Sequence, residues 1–251
     1  MPFAIAGDGT RIHYEVTGLT KRAPVLLVQG LGGEKNSWNL QRAALALRHR
    51  TIAFDNRGAG RSDKPDGKYN LEEMADDAIA VLDAAGIENA HVVGLSMGGA
   101  LTLWLASRHA DLSGIVCINP TTKSSASKLA GARLAVKSGK KSLPAIGSDI
   151  SDPAVKESSY DATPLAAAVS LFAEGLKPLS KTYGSIKVPL LLFTSTNDHV
   201  VNPKESDFLA SKYAGSIERV VLERSFHVAT QDVEKETVNA KALEFARRVT
   251  A

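Results

Sequence analysis

His91-Val92-Val93-Gly94-Leu95-Ser96-Met97-Gly98-Gly99-Ala100-Leu101-Thr102-Leu103-Trp104-Leu105-Ala106 is the stretch on which the reading of this chain turns. A short apolar run opens it and an apolar helix closes it. Between them, Gly-Leu-Ser-Met-Gly must turn the chain sharply from strand into helix. A Cβ at position 94 or 98 would collide where the helix folds back against its strand, so glycine has a steric task at both places. In such a turn the serine is strained, and its hydroxyl projects above the sheet at the helix N-terminus. The spacing G-x-S-x-G is a weak signal by itself; the strand before it and the helix after it carry the weight.

Apolar runs of similar length recur on both sides: Val25–Val28, Thr51–Phe54, Ile115–Ile118, Leu190–Phe193 and Arg219–Leu222. Continuous rather than alternating hydrophobicity marks strands buried on both faces, as in a parallel sheet sandwiched by helices. Between Asn70 and Gly86, apolar residues at 71, 74, 75, 78, 79 and 82 make one helical stripe, with Asn70 and Glu73 at capping-box spacing. The alternation predicts a doubly wound α/β domain with a mostly parallel central sheet. The rhythm breaks from Thr121 to Lys187, where two modest helical stretches lie near Lys128–Lys137 and Leu165–Leu176. This predicts a core of residues 1–120 and 188–251, with 121–187 inserted as a small cap over a ligand site at the carboxyl edge of the sheet.

A nucleophilic serine needs a base, and the base needs an orienting acid. His227 lies on a loop just after the strand ending at Leu222, and Asp198 follows the strand Leu190–Phe193. Both fall at the same strand edge as Ser96, so the three can converge although they are far apart in sequence. His199 is a rival base, but next to the acid on a short loop it is poorly placed to bridge acid and nucleophile. Acyl transfer also needs two donors aimed at a developing oxyanion. The backbone N–H of Met97 is one candidate. Leu31, within Gln29-Gly30-Leu31-Gly32-Gly33 after the first long strand, is the other. Those glycines do not form a dinucleotide cradle, because the third glycine of G-x-G-x-x-G would fall on Lys35. Apolar contacts to a substrate are expected from Leu31, Met97, Leu134, Leu171, Phe172, Val200 and Val228, with Val136 a further apolar residue of the cap.

With these residues in view, the chain resembles the α/β-hydrolase fold family. The Gln29–Gly33 run, Asp55-Asn56-Arg57-Gly58-Ala59-Gly60-Arg61-Ser62-Asp63 and Gly94–Gly99 are similar to 3-oxoadipate enol-lactonases and cofactor-free haloperoxidases. Asp149-Ile150, Thr163-Pro164-Leu165, Asn197–Val201 and Phe226–Asp232 look more like small-cap bacterial carboxylesterases and monoacylglycerol lipases. One departure is Gln29-Gly30, where the family often has His-Gly. The resemblance implies a hydrolase in which Ser96, Asp198 and His227 act in chain order. The leading expectation is a carboxylesterase for short or medium acyl esters, including monoacylglycerols. A lactonase or a perhydrolase is the nearest alternative, and a receptor-like binding protein the alternative of another class.

Composition bounds the remainder. The 251 residues are 44% hydrophobic and 23% charged, with a formal net charge of +3, too balanced for nucleic acid to be the main partner. The sole cysteine, Cys117, sits in an apolar run and reads as a core residue. No His/Cys metal spacing is present, so neither metal nor cofactor is expected. Every hydrophobic run is far shorter than the roughly 18 residues that span a bilayer, and the start of the sequence has no secretory pattern, so a cytoplasmic location is expected, without membrane insertion. The basic run Lys123, Lys128, Arg133, Lys137, Lys140, Lys141 is read as a solvated face of the cap.

Overall fold

Each long apolar run becomes a strand in the computed structural model, which describes residues 2–18, 22–124, 126–144, 148–157 and 162–249. The strands are β1 (Phe3–Ile5), β2 (Arg11–Thr17), β3 (Val25–Val28), β4 (Thr51–Phe54), β5 (His91–Leu95), β6 (Ile115–Ile118), β7 (Ser142–Pro144), β8 (Ala162–Pro164), β9 (Leu190–Ser195) and β10 (Ile217–Leu222). Eight of them form one sheet in the order β1-β2-β4-β3-β5-β6-β9-β10. From β4 to β10 the pairing is parallel, while β2 runs antiparallel to β4 and β1 antiparallel to β2. Strand β3 is flanked by β4 on one side and β5 on the other. The chain order therefore reverses there, and the crevice outside the carboxyl ends of β3 and β5 is the natural ligand site.

The helices are α1 (Asn39–Ala46), α2 (Leu71–Ala84), α3 (Met97–Arg108), α4 (Ala126–Lys137), α5 (Leu165–Ser170), α6 (Leu176–Ser180), α7 (Lys204–Ala210) and α8 (Lys235–Val249). Alternate residues of each strand feed two apolar layers. Leu26, Ile52 and Val92 pack with Met74, Ala78 and Leu101 of α2 and α3 on one face. Leu27, Val93 and Phe193 pack with Leu45, Val238 and Phe245 of α1 and α8 on the other. Each fully buried side chain of this kind contributes about 1.5–3 kcal/mol. At the start of α2 the Asn70 side chain accepts the Glu73 N–H at 2.8 Å, as the capping spacing predicts. Among the described residues, no helix is long and apolar enough to cross a membrane.

The segment between β6 and β9 divides in two. Helix α4 is largely exposed, with Leu134 at 69% and Val136 at 37%, so neither side chain is packed over a closed pocket as the sequence reading expects. The Lys128 side chain lies outside the described residues. Strands β7 and β8 form a small antiparallel pair. By contrast, α5, the π-helical turn Leu171–Gly175 and α6 bury Ala167, Leu171, Leu176 and Leu179 in the same apolar layer as α2 and α3. Leu171 is thus a core residue, with half-buried Phe172 against it.

Candidate active site

Ser96 directly follows β5 with φ 59° and ψ −120°, a conformation that residues other than glycine rarely adopt. The strain is imposed by what surrounds the turn. A Cβ on Gly94 would lie 2.2 Å from the Gly98 carbonyl oxygen, and one on Gly98 would lie 2.1 Å from that of Val28. Strand and helix can pack this closely because both positions lack a side chain, and the tight turn between them leaves Ser96 with a positive φ. Its hydroxyl makes no hydrogen bond to the helix it precedes. Met97, buried, begins α3, so its N–H is among those at the helix N-terminus left without an intrahelical partner.

The loop after β3 lies directly against this turn. A Cβ on Gly30 would meet Ser96 Cβ at 3.0 Å and Ser96 Oγ at 3.5 Å. Half-buried Leu31 follows at once, which brings its backbone to the neighbourhood of the serine. Gln29 supports the loop locally: its side-chain oxygen accepts the Gly30 N–H at 2.8 Å, and its carbonyl accepts from Asn56 Nδ2 at 2.8 Å. The neighbouring Asp55 carboxylate accepts the N–H groups of Lys35 and Arg61 and sits 3.0 Å from Nδ1 of fully buried His13. The Asp55–Asp63 motif is therefore a buttress beneath the loop.

At the ends of β9 and β10 the expected acid and base come into contact. Asp198 Oδ2 lies 2.7 Å from His227 Nδ1, with both side chains almost wholly buried. The other carboxylate oxygen, Oδ1, accepts the N–H groups of Val200 and Val201 at 2.8 Å each, which fixes the carboxylate plane. Half-buried Val200 and buried Val228 flank the pair along the chain. Ser96 is tied to this pair through the turn after β6: its carbonyl accepts the Thr121 N–H at 3.1 Å, while the Asn119 side chain donates to the His227 carbonyl at 2.8 Å. His199, the rival base, points elsewhere and pairs with Asp149 at 2.8 Å.

Sequence reasoning gave no role to three groups here. Asn119 (φ 44°) stitches the ends of β6 and β9 to the His227 loop, and its place directly after a buried strand is a signal that could have found it. Asp232, fully buried, accepts the N–H groups of Ser151 and Phe226 and thereby fastens the inserted segment to the His227 loop. Glu157, on the same segment, lies within electrostatic reach of His227. Burial pushes its carboxyl up to about 7, opposed by the attraction of His227. Burial also pushes the Cys117 thiol far above its usual range, in keeping with a core residue. Among the described residues, no group of His, Cys, Asp and Glu side chains has the makings of a metal site.

Known proteins resemble this chain in sequence and fold. Residues 23–142 match the family described as alpha/beta hydrolase fold. The chain is 44% identical over 106 residues to a putative carbamate hydrolase RutD of Azorhizobium caulinodans, covering 42% of this chain and 39% of that protein. It is 37% identical over 155 residues to a thermostable monoacylglycerol lipase of Bacillus sp. (strain H-257), covering 61% of each. The match thus spans less than two thirds of either relative. A solved structure described with LipS and LipT, two metagenome-derived lipolytic enzymes, superposes with a TM-score of 0.84 at 28% identity, covering 94% of this chain and 97% of that one. Sheet order, serine turn and matched relatives agree, and the chain has the α/β-hydrolase fold.

Proposed function

We propose that the protein is a serine hydrolase that cleaves short- to medium-chain carboxylic esters, monoacylglycerols among them, through an acyl-enzyme on Ser96. The observation that carries this reading is the buried 2.7 Å contact of His227 with Asp198 at the same sheet edge as the strained Ser96. His227 Nε2 takes the proton of Ser96 Oγ as that oxygen attacks the ester carbonyl carbon. The oxyanion accepts hydrogen bonds from the N–H groups of Met97 and Leu31. As the tetrahedral species collapses, the imidazolium returns the proton to the departing alcohol; a water activated by the same histidine then releases the acid. Asp198 holds the Nδ1–H tautomer and stabilises the imidazolium. Glu157 supports an alcohol that carries free hydroxyls, since a carboxyl close to half-protonated near neutrality can both donate and accept. The likeness to a monoacylglycerol lipase supports the same alcohol.

The test is labelling by a fluorophosphonate together with turnover of p-nitrophenyl butyrate, a monoacylglycerol and a panel of lactones. Wild type should label and turn over the two linear esters, and Ser96→Ala should do neither. Lactones outpacing every linear ester would move the assignment to a lactonase. Ligand binding without Ser96-dependent turnover would make the protein a receptor.

A further inference from the structure

We infer that Asp149 is a positioning residue through which the inserted segment holds the catalytic histidine in register with its acid; this rests on the hydrolase reading above. Asp149 Oδ2 accepts two backbone N–H groups, those of His199 and His227, each at 3.1 Å. Its Oδ1 lies 2.8 Å from His199 Nδ1, and its own carbonyl accepts the Val228 N–H at 3.1 Å. One carboxylate therefore bridges the residue that follows the acid and the residue that is the base. The Asp198–His227 side-chain contact spans the same two loops. Besides the Asn119 links, the loops are joined by the reacting pair and again by a carboxylate that belongs to neither.

The consequence is mechanical. The His227 ring can swing about its backbone, and the 2.7 Å contact with Asp198 survives only while the two loops keep their separation. Asp149 fixes that separation from the side of the inserted segment and gives the His227 N–H an acceptor that β10 does not supply. The same segment is fastened again two residues later, where Ser151 donates through N–H and hydroxyl to buried Asp232, which also accepts the Phe226 N–H. Six residues beyond that lies Glu157, whose carboxyl feels His227. His199 closes the arrangement with its ring edge-on to Phe226, centroids 4.6 Å apart. Displacing Asp149 would strip the His227 N–H of its acceptor, so alignment of the base depends on this one carboxylate rather than on how tightly the segment as a whole is fastened.

Steady-state kinetics on p-nitrophenyl butyrate for wild type, Asp149→Ala, Asp149→Asn and Ser151→Ala test this. Asp149→Ala should lower kcat by roughly 10–100-fold, the scale on which a misplacement of about 1 Å of a reacting group is felt, with KM changed less than about twofold. Asp149→Asn should recover kcat to within about threefold, because its amide oxygen can take both N–H groups while its NH₂ faces a neutral His199 Nδ1. Ser151→Ala loosens the same segment without touching His227 and should leave kcat within about twofold. Should Asp149→Ala fail to fold, Asp149→Ser, too short to reach both N–H groups, is read in its place. Unchanged kcat in Asp149→Ala, an equal loss in Ser151→Ala, or no recovery in Asp149→Asn would each overturn the inference. The downfield proton resonance of His227 Nδ1–H, assigned by its absence in His227→Ala, gives a readout free of substrate. It should broaden or vanish in Asp149→Ala and persist in Asp149→Asn. Wild type without Ser96-dependent turnover would refute the hydrolase reading, and the resonance would still decide the role of Asp149.

Discussion

The Asn119 side chain donates to the His227 carbonyl at 2.8 Å and to Ser195 Oγ at 2.9 Å, while its oxygen accepts the Ser195 N–H at 2.7 Å. One buried amide thus satisfies backbone groups on both loops that bring the acid and base together. Truncation to alanine leaves the Ser195 N–H and the His227 carbonyl without these partners. Asn119→Ala should lose about 2–4 kcal/mol of stability in urea unfolding. Asn119→Gly should lose about 1 kcal/mol less than the alanine variant, because glycine adopts φ 44° without penalty.

Asp198→Asn keeps the shape of the acid but removes its charge and favours the wrong imidazole tautomer. The expected loss in kcat is roughly 10²–10⁴-fold with the fold intact, read by esterase assay beside circular dichroism. No Asp or Glu directly follows β6 to take over the role. Activity within about threefold of wild type would require a different acid.

Glu157 sets a pH signature. Burial raises its carboxyl from the ordinary 4.5 to about 7, so the folded protein holds this proton more tightly than the unfolded chain. The group therefore costs nothing at low pH, and its penalty grows as pH rises from about 4.5 through 7. Glu157→Gln removes that penalty. It should stabilise the protein by about 1–2 kcal/mol at pH 8, after allowance for solvent screening, and by almost nothing near pH 4. Chemical denaturation at the two pH values checks the sign.

Chain-length preference follows from the limited apolar cover over the site. Among the described residues Leu171 is committed to the core and Leu134 lies in solvent, which takes two of the expected apolar side chains away from a deep acyl tunnel. Each buried methylene adds roughly 0.8 kcal/mol, and those left in water add nothing. For p-nitrophenyl esters, kcat/KM should peak between about butyrate and decanoate and decline by palmitate. A preference for palmitate above its aggregation threshold would point to action at a lipid surface.

The parallel strands were legible because each is a continuous apolar run, and the serine turn because glycine spacing and context coincide. The β1–β2 edge was not legible: Phe3–Ile5 is too short and Arg11–Thr17 too mixed to stand out. The fates of Leu134 and Leu171 were hidden for a different reason, since helical apolar residues read alike whether they face core, pocket or water. The meeting of Asp198 and His227 was legible because the end of a strand is a place that sequence can mark. Asp149 and Glu157 lie on an irregular segment whose path is set by tertiary contacts such as those to Asp232.

The left-handed backbone of Ser96 has an evolutionary edge. Glycine at that position would relax the turn, and it would remove the hydroxyl on which the proposed mechanism rests. Ser96→Gly should therefore melt at a higher temperature than the wild type while being inert. Selection for thermal endurance and selection for turnover pull in opposite directions at this residue. Lineages that gain heat resistance must find it elsewhere in the sheet and helices, while a descendant that kept the scaffold only for binding would be free to let the turn relax.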